Sequence, residues 1–118
     1  MPGVLEGMFA TMRSFFTELA KVSPGGSVVE LPGVTACLVP ALGERSVFNS
    51  VIYEDAGQLE AGLDEIAAAY DSAGVTALTV WSHESDVRVG EVLKRAGHTL
   101  DARDRTHGRV NMWERRRS

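Results

Sequence analysis

The sequence predicts a single α/β domain on a mixed sheet, and three observations predict it. An amphipathic helix pattern opens the chain, two β-rich runs flank a Pro-Gly pair, and strand and helix patterns alternate after them. A chain of 118 residues can bury one core and little more.

The opening helix is expected over residues 4–22, where Leu5, Met8, Phe9, Met12, Phe15, Phe16 and Leu19 recur at steps of three and four. Ser23-Pro24-Gly25-Gly26 stops it. Three of the four phenylalanines lie on this stripe, so it needs a cover, and a sheet face is the expected one. The polar face is not rich in Lys and Arg, which argues against a membrane-surface helix.

Residues 27–31 and 34–39 read as an antiparallel hairpin turning at Pro32-Gly33, where Pro presets φ and Gly accepts positive φ. A loop from Pro40 to Arg45 leads to a third strand, 47–53. Asp55 is placed to cap a second helix, 56–73, that buries Leu59, Leu63, Ile66, Ala67 and Tyr70 and ends at Gly74. A buried strand is expected at 75–81, and a third helix at 86–96 capped by Ser85 or Asp86. A strand at 98–103 and a weaker one at 109–114 complete the order. The strand-helix-strand units call for parallel pairing and the hairpin for antiparallel pairing, hence a mixed sheet with helices on its faces. The main body is expected over 1–103, with 104–118 a basic C-terminal strand or tail.

The formal net charge of −4 argues against a general nucleic-acid binder. Arg103, Arg105, Arg109, Arg115, Arg116 and Arg117, with Trp113 among them, form a basic stretch that reads either as an anion contact or as a solvated terminus. No apolar run reaches the roughly 18 residues a membrane span needs. Glu6, Arg13, Glu18 and Lys21 interrupt the N-terminal apolar residues, so they do not read as a secretory signal. The single cysteine, Cys37, cannot form an internal disulfide, and a cytoplasmic protein is expected. His83, His98 and His107 have no metal-ligand spacing. Cys37 with His83 or His98 has no spacing that supports a thiol nucleophile, and a buried, inert cysteine is the default. Tyr70 falls on an inward helix face, where packing outweighs a proton-donor role. Asn49, in the middle of a β-rich run, either satisfies a backbone group or points into a cleft.

The segments GVTACLVP, RSVFNSVIYED, AAAYDSAGVTALTVW and VLKRAGHTLDA, over about residues 27–103, resemble the N-terminal half of bacterial two-domain proteins of the N-acetyltransferase (GNAT) superfamily. The most specific pieces are Arg45-Ser46-Val47-Phe48-Asn49, the stretch Ala69 to Val75, Trp81, and Leu93-x-x-Ala96-Gly97-His98. The resemblance implies a partial GNAT-like fold lacking the family's first strand and one early helix. In that family two central strands splay apart and acetyl-CoA lies in the notch. Its pyrophosphate sits where a strand meets a helix, on a Gln/Arg-x-x-Gly-x-Gly/Ala loop. Glycines admit the phosphates there, and the helix start supplies N–H donors.

Here that junction reads Tyr53-Glu54-Asp55-Ala56-Gly57-Gln58-Leu59-Glu60, with one glycine and no leading Gln or Arg. Glu54, Asp55 and Glu60 would repel a phosphate, at roughly 4 kcal/mol per pair of unit charges about 4 Å apart and an effective dielectric near 20. The resemblance thus places Tyr53, Asp55 and Gly57 at the cofactor loop and Glu54 where a general base sometimes stands, while the residues argue for helix capping. The expectation is a domain that binds no cofactor by itself and acts as a structural or docking half, through self-association or a second GNAT domain. The alternative is an active N-acetyltransferase that uses acetyl-CoA with a divergent loop, completed by dimerisation. A third reading is a small-ligand binder that kept the notch and lost the chemistry.

Overall fold

The N-terminal periodicity folds as read: helix α1 runs Val4–Val22. The computed structural model describes residues 4–100 and 110–116, with side chains from residue 7 onward except Met8. Leu5 and Met8 of the apolar stripe therefore lie outside the described side chains. Of the rest, Phe9, Phe16 and Ala20 are buried and Met12 and Leu19 partly so. Phe15 departs from the expectation and is 59% exposed. One residue is about 100° of helix, so a stripe centred on Phe9, Phe16 and Ala20 leaves Phe15 at its margin. Its ring instead packs edge-on against Phe16, with centroids 5.2 Å apart.

Strands β1 (Ser27–Leu31) and β2 (Val34–Leu38) form the hairpin, with Gly33 at φ 69° as the turn requires. The next expectation needs correction. Residues 46–48 form a 3₁₀ turn, a second one spans Pro40–Leu42, and strand β3 is only Ser50–Tyr53. Asn49 explains the shortening. Its fully buried side chain accepts from Val39 N at 2.6 Å and donates to the carbonyls of Leu42 at 3.0 Å and Arg45 at 3.3 Å. A side chain that ties down its own loop's backbone competes with the ladder. Of the two readings left open for Asn49, the structure selects backbone satisfaction.

Helix α2 (Ala56–Ser72) starts at the predicted cap, where the Asp55 carboxylate accepts from Gln58 N at 2.8 Å. It ends before Gly74, at φ 76°. Leu59, Ile66 and Tyr70 are buried, Leu63 packs partly buried against the core, and the Tyr70 hydroxyl donates to Cys37 O at 2.6 Å. Strand β4 is Ala77–His83, two residues later than expected, because the Thr76 amide is spent on Gly43 O at 2.8 Å. Helix α3 (Val87–Arg95) has Asp86 at its cap position, but that carboxylate makes no capping bond. Strand β5 is Thr99–Leu100, and residues 101–103 of the expected 98–103 strand lie outside the described residues.

The last strand, β6 (Val110–Arg116), is the weaker strand expected at 109–114, and of the two readings of the C-terminus these residues take the strand rather than the solvated tail. The sheet order is β1-β2-β3-β4-β6-β5, so β6 is inserted between β4 and β5 and pairs with β4 over seven residues. Trp113 is buried and donates to Ser82 Oγ at 3.0 Å. Arg116 reaches Glu114 and the Glu44 carbonyl. His107 and Arg103, Arg105, Arg109 and Arg117 lie outside the described residues. All pairings are antiparallel except β3 with β4, which α2 connects as a crossover.

The result is a compact α+β domain with a mixed sheet between helices. α1 covers one face, where Phe16 meets Trp81 and Thr17 meets Cys37. α2 and α3 cover the other, where glycines admit close neighbours: Leu31 lies against Gly62 and the Trp113 ring against Gly90. Among the described residues no helix is long and apolar enough to cross a membrane.

His98, between α3 and β5, is buried, and its Nδ1 has no partner among the described residues. Burial first, with Arg115 adding to it, pushes its pKa from 6.5 down to about 4, against a backbone bond to Trp113 that works the other way. The folded state therefore refuses a proton that the unfolded chain accepts.

Two outcomes are expected. Asn49→Ala leaves the buried Val39 amide without its acceptor and removes one of two donors from the Leu42 and Arg45 carbonyls, and should cost about 1–3 kcal/mol in urea denaturation. Stability should also fall as pH drops from about 6.5 towards 4, by about 3 kcal/mol in all from His98. Denaturation curves from pH 7 to 4 should show a shallower slope for His98→Gln than for the parent.

Candidate functional site

The parallel pair is where the sheet opens. β3 and β4 pair at Ser50–Thr79, Val51–Val80 and Ile52–Trp81, and the pairing goes no further. Beyond it, the phenol of Tyr53 takes over from the backbone. Its hydroxyl accepts from His83 N at 3.3 Å and donates to Asp86 Oδ2 at 2.5 Å. One side chain thus spans the divergence between the end of β3 and the end of β4, and claims the Asp86 carboxylate that would otherwise cap α3. Burial, and then donation to Asp86, push the Tyr53 phenol above its ordinary pKa, so it stays protonated.

On the α1 side of this divergence lies a cavity of about 350 Å³, lined by Phe9, Ala10, Arg13, Tyr53, Glu54 and His83. Phe9 and His83 meet edge to face with centroids 4.6 Å apart, and Phe9 and Tyr53 do so at 6.1 Å. Arg13 and Glu54 stand at the rim as an ion pair, with side chains 32% and 64% exposed.

The four residues singled out from sequence separate here. Tyr53 and Glu54 line the cavity. Asp55 faces its own helix and accepts from the Gln58 amide. Gly57 is not in the left-handed region, and a Cβ on it would touch Asp55 Oδ2 at an ordinary 3.4 Å. Its conformation therefore makes no demand for glycine. It lines a second cavity, between α2 and α3, of only about 50 Å³.

The start of α2 is already furnished with internal partners. Glu54 N donates to Gly33 O at 2.7 Å, and the Gln58 side chain lies over Gly33. Of the three acids at this junction, Glu54 pairs with Arg13, Glu60 pairs with Arg88 at 3.2 Å, and Asp55 caps. The repulsion expected from their charges is softened by these cations, and a phosphate must also compete with Asp55 for the Gln58 amide.

Cys37 is buried beneath Thr17 on β2, and burial raises its pKa, which works against a thiolate. His83 is in the cavity wall and His98 beyond α3. Among the described residues no three of His, Cys, Asp and Glu cluster so as to hold a metal ion. Phe9, Ala10 and Arg13 are the site residues that sequence reasoning missed. Phe9 read as core and Arg13 as a solvated face, and no local pattern marks either for a cavity 40 residues away in the chain.

Tyr53→Phe removes both bonds of the bridge and should cost about 1–3 kcal/mol. Amide hydrogen exchange at His83 should quicken relative to neighbouring β4 amides, and unchanged exchange there would argue against the bridge.

Comparison with known proteins adds no relative to set beside this geometry: no family model, no curated protein and no solved structure matches the chain.

Proposed function

We infer that this chain is a GNAT-like domain that does not grip acetyl-CoA by itself and acts as a docking half. The order of elements supports the reading: an antiparallel β1-β2-β3 unit, one parallel pair β3/β4 joined by a helix, and a last strand inserted between β4 and β5. The ladder between the parallel strands stops at Ile52 and Trp81, which is compatible with the notch the resemblance implies.

One observation carries the loss of cofactor binding. At the start of α2, where the family holds pyrophosphate, the protein supplies its own anion: the Asp55 carboxylate sits on the Gln58 amide. An incoming phosphate must displace it and meets Glu54 beside it. The Tyr53 bridge across the strand divergence adds to the obstacle, because a pantetheine arm lying between the strands would compete with it.

A docking role is supported by the sheet edge. Among the described residues β1 pairs with β2 on one side only, and no strand lies on the side the family's first strand would occupy. An edge strand with free N–H and C=O groups is a template for another strand. The partner is a second copy of this chain or a separate GNAT domain.

Calorimetry with coenzyme A and acetyl-CoA tests the reading. The parent should give no micromolar binding, and one-to-one micromolar binding would instead support the active N-acetyltransferase with Glu54 as its base. Combining Glu54→Lys with Asp55→Gly empties the helix start and should raise coenzyme A affinity at least about tenfold, a change of about 1.4 kcal/mol. Light scattering over the accessible concentration range should detect a dimer, and a strict monomer would remove self-docking.

A further inference from the structure

We propose that the cavity between α1 and the diverging ends of β3 and β4 binds a free α-amino acid with an apolar side chain, its carboxylate on Arg13 and its ammonium on Glu54. The proposal shares Glu54 with the reading above but is tested separately from it, since it asks nothing of the Gln58 amide at the start of α2 or of the sheet edge.

Size sets the class first. Ligand pockets run from about 300 to 1,000 Å³. At about 350 Å³ this one is at the small end, which suits a small ligand such as a single amino acid.

The polar inventory sets the ligand's charges. The Tyr53 hydroxyl is committed, donating to Asp86 and accepting from His83 N. The charged groups left in the lining are one cation and one anion, Arg13 and Glu54, which face each other at the rim. An exposed pair of this kind is worth only about 0–1 kcal/mol, so a ligand can open it at little cost. A net anion would gain Arg13 but meet Glu54, with Asp55 and Asp86 close by in the chain. A net cation would gain Glu54 but meet Arg13. A zwitterion replaces both halves of the pair, and its carboxylate can take the planar guanidinium in a two-pronged contact.

The walls set the rest. Phe9, Ala10 and the Tyr53 ring offer an apolar and aromatic surface, and the His83 imidazole adds a ring face with polar nitrogens at its edge. An aliphatic or aromatic side chain entering the cavity is removed from water there, at about 25 cal/mol per Å² buried.

Titration calorimetry with four probes on the parent protein tests this. L-leucine and L-phenylalanine should bind saturably. Isopentylamine, which lacks the carboxylate, and 4-methylpentanoate, which lacks the ammonium, should each bind at least about tenfold more weakly than leucine. Arg13→Gln should erase the preference for leucine over isopentylamine. Glu54→Gln should erase the preference for leucine over 4-methylpentanoate. Thermal melts accompany both variants, and the four-probe comparison on the parent needs neither. No saturable binding of leucine or phenylalanine overturns the proposal, and so does equal binding of leucine and its two truncated analogues.

Discussion

The structure turns on the divergence of β3 and β4 and on the tyrosine that bridges it. Parallel pairing stops at Ile52 and Trp81, which would leave the His83 amide without a ladder partner. The Tyr53 hydroxyl accepts from that amide and donates its own hydrogen bond to Asp86. A buried amide without an acceptor costs as much as a lost hydrogen bond, so the two strands can separate only because a side chain replaces the backbone contact. The separation creates the cavity under α1 and fixes where α2 and α3 begin. Asp86 shows the trade involved: its carboxylate serves the bridge, and α3 starts without a side-chain cap.

The junction beside the bridge follows the same logic of internal satisfaction. A helix start concentrates N–H donors and positive partial charge, and will bind whatever anion is at hand. Here the nearest anion is covalently attached. Asp55 caps Gln58, Glu54 turns outward to Arg13 on α1, and Glu60 turns to Arg88 on α3. Two of the acids that make the junction look hostile to phosphate are therefore also ties, Glu54 to α1 and Glu60 to α3, and the third holds the start of its own helix. Exposed pairs contribute little stability each, but they fix which side chains occupy the rim of the cavity and the start of α2.

Both faces of the sheet show why its strands tolerate so little variation. β2, β3 and nearly all of β4 are buried throughout, and the glycines at 62 and 90 lie where a Cβ would come within 3 Å of Leu31 or Trp113. Polar groups inside this layer are paired by specific reach: Asn49 to its own loop, Trp81 to Ser50, Trp113 to Ser82, Tyr70 to Cys37. Among the described residues the Thr79 hydroxyl and His98 Nδ1 are the exceptions, and His98 ties stability to pH.

The sequence alone determined the elements whose cause is local. Apolar spacing marked α1 and α2, Pro32-Gly33 marked the hairpin, and Asp55 and Gly74 marked the ends of α2, because caps, turns and periodicity act over a few residues. It also determined that the fold would be mixed α and β. Only the tertiary structure decided the rest. β3 is cut short by hydrogen bonds from Asn49, Asp86 is drawn from capping to Tyr53, and the weak last strand is placed between β4 and β5 because β4 offers it a seven-residue partner. The cavity belongs to that second group. Its wall joins Phe9, Arg13, Tyr53, Glu54 and His83, which are neighbours only after the sheet has formed, and long-range packing leaves no trace in a local pattern.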